Sequence, residues 1–236
     1  GEKILKHLKE EGVNVEGVIK DEAIFSGIAT IFKTTNDNSI VVIPGANDFC
    51  NKDLIDKNLD IIKSADILIT QLEIPLETVE YVLKVSKEND VKTILNPAPA
   101  TKINKELLKN VDFITPNETE FEIISEKVFN HSNELEEAMV SWQKENISTT
   151  LIVTRGKDGA SYVEEDTVKT LKSLEVDVVD TTGAGDTFNG ALAHGLSHEL
   201  PIDEAVTFAG TAASLSVTKF GAQIGMPTFE EVKNAH

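Results

Sequence analysis

The chain has little of what several classes of protein need. Among its 236 residues there is a single cysteine, Cys50, so no internal disulfide can form; this fits a reducing compartment and makes the cytoplasm the expected location. Positive charge is scarce: 22 Lys and Arg stand against 40 Asp and Glu, and the formal charge of -18 would repel a phosphate backbone. Nucleic acid is therefore not an expected partner. No apolar run approaches the ~20 residues that span a bilayer, so no membrane role is expected. The phosphate-binding pattern G-x-x-x-x-G-K-[ST], the dinucleotide fingerprint G-x-G-x-x-G, H-E-x-x-H and paired C-x-x-C motifs are all missing, which disfavours P-loop enzymes, dinucleotide oxidoreductases and zinc sites. His194 and His198 are one helical turn apart without a third ligand, which reads as a solvated helix face.

What is present suffices for a full core, with 40% hydrophobic residues. The first residues already show helical spacing at Ile4, Leu5 and Leu8, and no initiator Met precedes them, which suggests that the sequence begins inside an element. Residues 22–43 alternate like a hairpin around a polar turn at Asn36 to Asn38. Phe25, Ala29 and Ile31 fall on one face, Ile24, Ile28 and Phe32 on the other, and two apolar faces invite a partner subunit. Short apolar strands then alternate with amphipathic helices. Strands are expected at 67–72, 93–95, 113–115 and 150–154, and helices at 52–64, after Pro75, at 105–109 and at 134–145. Antiparallel additions at 160–163 and 168–174 precede two long helices at 186–198 and 201–220. This order predicts an α/β sandwich, a mostly parallel sheet with helices on both faces, forming one domain over 1–236 with the hairpin as a small β lid.

The chemistry concentrates in Asp180-Thr181-Thr182-Gly183-Ala184-Gly185-Asp186-Thr187-Phe188, a turn of small residues entering a helix. Gly183, Ala184 and Gly185 let backbone N–H groups approach an oxyanion, and the helix N-terminus adds a favourable dipole. Asp186 beside such a cradle can accept the proton of an attacking hydroxyl, which makes it the expected catalytic base for phosphoryl transfer. Taken alone, the same residues also suit a plain turn and helix cap.

That nonapeptide resembles the C-terminal signature of the ribokinase family, the PfkB carbohydrate kinases. The resemblance continues through Asn96-Pro97-Ala98-Pro99-Ala100, Thr115-Pro116-Asn117-Glu118-Thr119-Glu120, Thr154-Arg155-Gly156-Lys157-Asp158-Gly159 and Gly221-Ala222-Gln223. It implies a ribokinase-like fold and transfer of the γ-phosphoryl group of ATP to the 5-hydroxyl of ribose, or to another sugar or nucleoside such as fructose or deoxyribose. It also implies several roles: Asn117 and Glu120 near Mg2+-bound phosphates; Thr154, Arg155, Gly156, Lys157, Asp158, Gly159, Gly185, Asp186 and Gly210 on the nucleotide; and Glu73, Asn47 and Asp186 on the sugar. Asp180, Thr182, Ser216, Lys219, Gly221 and Gly225 match positions around an activating K+, held mostly by main-chain carbonyls. A homodimer joined through the lid is implied as well.

The sequence departs from the family pattern in two places. The usual opening segment, with its sugar-binding Asp and Gly-Gly-Lys-Gly-x-Asn motif, has no counterpart, and a chain lacking those groups would be a poor kinase or a non-catalytic remnant. Gly210 stands where relatives carry a His or Asn that can touch the base, so adenine should be held mainly by shape and apolar contact.

Overall fold

The computed structural model describes residues 1–33 and 38–235, without the side chains of the strand residues in 31–33 and 38–40. After helix α1 (Glu2–Glu10), strands β1 (Ile28–Lys33) and β2 (Asn38–Ile43) pair antiparallel, Ile28 opposite Ile43 and Lys33 opposite Asn38. The hairpin starts later than the alternation predicts. Residues just before it fold across the turn after β2 instead, where the Ala46 N–H donates to the Phe25 carbonyl at 2.9 Å. Asn36 and Asp37, from the expected polar turn, lie outside the described residues.

Next come α2 (Lys52–Lys57) and α3 (Leu59–Lys63), where one helix was expected. Asn58 separates them because its side-chain amide donates back to the Leu54 carbonyl at 2.8 Å, a local bond that competes with continuation of the helix. The alternating body follows: β3 (Ile67–Thr70), α4 (Leu76–Glu88), β4 (Lys92–Leu95), α5 (Lys105–Leu108), β5 (Phe113–Ile114), α6 (Glu118–Ser125), α7 (Ser132–Glu145) and β6 (Thr150–Thr154). Then β7 (Ala160–Glu164), β8 (Thr167–Leu171), α8 (Ala184–Ser197), α9 (Ile202–Ser216) and α10 (Phe229–Asn234) complete the chain. Helix α8 begins two residues earlier than expected, so Asp186 lies within its first turn rather than opening it.

The six-stranded sheet runs β3-β4-β5-β6-β7-β8. Its first four strands are mutually parallel, and β7 and β8 add antiparallel. Alternate residues of each strand point to opposite faces, so neighbours in sequence enter different cores. Leu95, Leu151 and Val153 pack with Val79 and Leu83 of α4, Phe121 of α6 and Met139 of α7. Ile94 and Ile152 pack on the other side with Phe188 and Leu192 of α8 and Ala205 and Ala209 of α9. The architecture is thus helix, sheet, helix, and each fully buried Leu, Ile or Phe contributes roughly 1.5–3 kcal/mol.

Among the described residues, the hairpin and the segment before it have no such cover. Phe25, Ile28 and Val42 are 59%, 54% and 55% exposed, and Ile24 is half-buried.

Candidate active site

In an open parallel sheet, ligands bind beyond the carboxyl ends of the strands, where loops and helix N-termini converge. Three of the segments singled out in the sequence meet at that edge. The Thr154 N–H donates to the Pro116 carbonyl at 2.9 Å, and Asn117 and Thr154 form a parallel bridge that extends the β5–β6 pairing by one step. The Asn96 N–H donates to the Thr70 carbonyl at 2.9 Å, the Leu72 N–H to the Ala98 carbonyl at 3.0 Å, and the Asn96 side chain to the Thr115 carbonyl at 3.2 Å. The Asn-Pro-Ala-Pro segment therefore laces three strand ends together, and Glu73 emerges beside it.

Next to this edge lies a cleft of about 500 Å3, bounded by Asn117, Thr154, Gly156, Lys157 and Gly159 on the sheet side. Ala184, Gly185 and Phe188 of α8 and Gly210, Ala213, Ser214 and Val217 of α9 close the other side, with residues 173–176 and Val178 between. Thr154, Gly156, Lys157, Gly159, Gly185 and Gly210, expected on the nucleotide, and Ala184 of the expected cradle thus line one cleft from its two sides. Arg155 goes elsewhere: its side chain is 6% exposed and ties Glu118 at 3.0 Å, Ser132 at 3.1 Å and Ser161 at 3.3 Å, so only its backbone remains near the cleft. Asp158 is exposed, and its N–H closes the turn onto the Arg155 carbonyl at 3.0 Å.

The cradle is built at the start of α8. Gly183 caps the helix at φ 83, and a Cβ there would come within 3.1 Å of Ala222, so the turn and the Gly221-Ala222-Gln223 segment pack as closely as they do because residue 183 has no side chain. The Ala184 N–H is directed at the Thr181 carbonyl at 3.2 Å, and the Gly185 and Asp186 amides, in the first turn, have no carbonyl partner within the helix. Asp186 itself is exposed.

Asn189 was missed in the sequence. It is 4% exposed, accepts from the Thr115 hydroxyl at 2.7 Å, and donates to the Gly185 carbonyl at 2.8 Å. It thereby fastens the first turn of α8 to the end of β5. The available signal was a polar residue one turn after Asp186 on a face that otherwise carries Phe188 and Leu192.

Asn117 and Glu120 form a full capping box on α6, each side chain accepting the other's backbone N–H at 2.8 Å. Burial raises the Glu120 carboxyl above its ordinary pKa, and the bond from the Asn117 N–H pulls the other way. Among the described residues no group of three His, Cys, Asp or Glu could hold a metal ion. That donor set fits Mg2+, which binds one or two protein oxygens and takes the rest of its shell from phosphate and water.

Around the expected K+ position, Asp180 accepts from the Thr182 N–H at 3.1 Å and hydroxyl at 2.7 Å through one oxygen, and from the Gly221 N–H at 3.1 Å through the other. The main chain curls so tightly that a Cβ on Gly225 would sit 2.5 Å from the Ser216 carbonyl oxygen and 3.0 Å from that of Gly221. Convergent carbonyls of this kind fit an alkali cation. The Lys219 ammonium, which faces Glu231 at 3.4 Å, has no lone pair to offer a cation, so of this residue only the carbonyl could serve as a ligand.

The sugar-side residues are less gathered. Glu73 and Asn47 are both exposed and neither borders the cleft. They share a neighbourhood, since Glu73 precedes α4 and the Thr78 hydroxyl of α4 donates to the Cys50 carbonyl at 2.8 Å, just past the turn that carries Asn47.

The model of the pfkB family carbohydrate kinases matches residues 1–229. The chain belongs to that family. Its relatives include the ribokinase of Lactococcus lactis subsp. lactis, 41% identical over 99% of this chain and 74% of the relative, and that of Bacillus subtilis, 40% identical over 99% and 76%. Among solved structures, the ribokinase of Thermotoga maritima superposes with a TM-score of 0.86 at 35% identity, covering 99% of this chain and 76% of the other. The ribokinase of Arabidopsis thaliana, complexed with ribose and ATP, also gives 0.86, at 30% identity over 95% and 73%. The sandwich with its small antiparallel sheet is the ribokinase-like fold. The motifs named from the sequence lie at strand ends and at the start of α8.

Proposed function

We propose that this carbohydrate kinase is a ribokinase, transferring the γ-phosphoryl group of ATP to the 5-hydroxyl of D-ribose. The observation that carries the reading is the shared cleft: Asn117, Thr154 and Gly156 on one wall face Gly185 of the α8 cradle on the other. Ribokinase relatives at 38–41% identity across nearly the whole chain support the choice of sugar.

In this reading the triphosphate enters along the Thr154 to Gly159 turn with its transferring end at α8. The Gly185 and Asp186 amides donate to the oxygens that gain charge, and the helix dipole acts in the same sense. Asp186 accepts the proton of the sugar hydroxyl as the new O–P bond forms. A loose transition state asks little basicity of the carboxylate, so its position matters more than a perturbed pKa. Asn189 acts through Gly185 by holding the turn in place. Asn117 and Glu120 would hold Mg2+, which would neutralise phosphate charge, and the carbonyls of Ser216, Gly221 and Gly225 would hold K+ beside the loop against which Gly183 packs. Glu73 and Asn47 hold sugar hydroxyls. The chain acts as one domain with the hairpin as lid, dimerises through the exposed hairpin faces, and works in the cytoplasm.

A sugar panel tests the assignment: with MgATP and K+, turnover should be highest on ribose. Faster turnover on deoxyribose would reassign the substrate, a reading favoured by the deoxyribokinase of Salmonella typhi, 33% identical over 96% of this chain. No phosphorylation of ribose, deoxyribose or fructose would remove the kinase reading.

A further inference from the structure

We propose that the donor pocket recognises a purine by shape and not by its hydrogen-bonding edge, so that the enzyme uses GTP as well as ATP and tolerates purines enlarged at the base. The inference rests on the nucleotide reading of the cleft and concerns the α9 wall. Gly210, Ala213, Ser214 and Val217 stand at positions i, i+3, i+4 and i+7, so one face of the helix forms this wall. Its one polar side chain is already committed. The Ser214 hydroxyl donates to the Gly210 carbonyl at 2.8 Å and accepts from the Leu174 N–H at 3.2 Å. On the facing loop, the Ser173 hydroxyl is likewise spent on the Lys157 carbonyl at 2.6 Å.

What remains on that wall is apolar surface and space. A Cβ built on Gly210 would meet no neighbouring heavy atom within 4 Å, so the cleft extends unobstructed to the helix at that point. Of the other polar side chains that border the cleft, Asn117, Lys157, Glu175 and Thr181 are solvent-exposed, where water competes for any bond to the base, and the half-buried Thr154 lies beside Asn117 at the end of β6, across the cleft from α9. Sites that hydrogen-bond a substrate group reject analogues by about 10^4- to 10^5-fold, whereas apolar pockets discriminate by about 10^2 or less. Gly210 is therefore a specificity-determining position, and its effect is permissive.

The test compares kcat/KM for ATP, GTP and N6-benzyl-ATP with saturating sugar acceptor. The expected result is that GTP falls within about a hundredfold of ATP and that N6-benzyl-ATP is a substrate. Discrimination against GTP beyond a hundredfold would overturn the inference while leaving the kinase assignment intact, since ATP turnover is measured in the same panel. Gly210→Leu places a side chain in the open space and should lower the N6-benzyl-ATP to ATP ratio at least tenfold, with Gly210→Ala lowering it less. An unchanged ratio in both variants would also sink the idea. Using a ratio within each variant removes differences in folded fraction.

Discussion

The two ends of the chain handle their apolar residues in opposite ways. From β3 onward the central strands are covered by helices: Ile94, Ile114 and Leu151, with Leu83 of α4, are fully buried, and the loops that carry the motifs are laced together by main-chain bonds at the strand ends. In the hairpin, Ile28, Val41, Val42 and Ile43 are about half exposed, although their sequence is as apolar as any strand in the body. Burial depends on what covers a strand as well as on its composition. The body is covered by its own helices, whereas the described faces of the hairpin are open. The proposed nucleotide side of the site rests on the first kind of structure, and the proposed sugar side, with Asn47 just beyond β2, adjoins the second.

The sharpest way to break this comparison is at the chemistry. Asp186→Asn keeps the α8 cradle and removes only the proton acceptor, so phosphorylation should fall about 10^2- to 10^4-fold while nucleotide binding, followed by calorimetry, persists. Turnover close to that of the parent would take Asp186 out of the mechanism. Equal loss of nucleotide binding would mean that it holds phosphate-bound cations instead.

A matched pair of truncations addresses burial directly. Leu83→Ala, at 0% exposure, should cost about 2–5 kcal/mol in a denaturant titration, because the transfer energy is lost and a cavity remains. Ile28→Ala in the hairpin should stay within about 0.5 kcal/mol in the same measurement made on the monomer. If the lid is the dimer face, Ile28→Ala weakens self-association in sedimentation equilibrium; unchanged association would move the dimer contact elsewhere.

Asn189→Ala probes the link between sheet and cradle. It leaves the buried Thr115 hydroxyl without its 2.7 Å partner, at a cost of about 1–3 kcal/mol. A merely structural role would end there. If Asn189 positions the cradle, kcat falls more than KM for ATP rises, and Asn189→Asp, which retains an acceptor for Thr115 but loses the donor to the Gly185 carbonyl, leaves kcat low. Parallel changes in both constants would leave it a packing residue.

How much of this was legible in the sequence depends on whether the signal is local. Strand 150–154 could be placed to the residue because it is short, apolar and bounded by turn formers, and the order of the body followed from alternation. The break at Asn58 was hidden because a side-chain bond to Leu54 looks like any polar helix residue in sequence. The motifs singled out candidate residues, but not that Ala184 spends its N–H within the turn or that the Arg155 side chain points into an ion-pair cluster; both depend on contacts made by folding. Asn189 was overlooked for a similar reason: its partner Thr115 is 74 positions away. The sugar side was the least legible, since Glu73 and Asn47 are exposed residues whose spacing encodes no geometry.

The smallest expected effect separates the two roles of Glu120. Burial raises its pKa in the folded chain, so as pH rises the unfolded chain ionises first, and the stability this residue contributes at low pH is lost as pH climbs through the raised value. Glu120→Gln removes that ionisation but can still accept the Asn117 N–H, since Gln also completes a capping box. The variant should therefore be as stable as the parent or slightly more so at neutral pH, with the advantage vanishing in acid, as thermal melts at pH 4 and pH 8 would register. If Glu120 also helps hold Mg2+, the concentration needed for half-maximal activity rises several-fold in the same variant. An unchanged Mg2+ requirement together with the predicted stability profile would confine Glu120 to the helix cap and leave the phosphates as the main Mg2+ ligands.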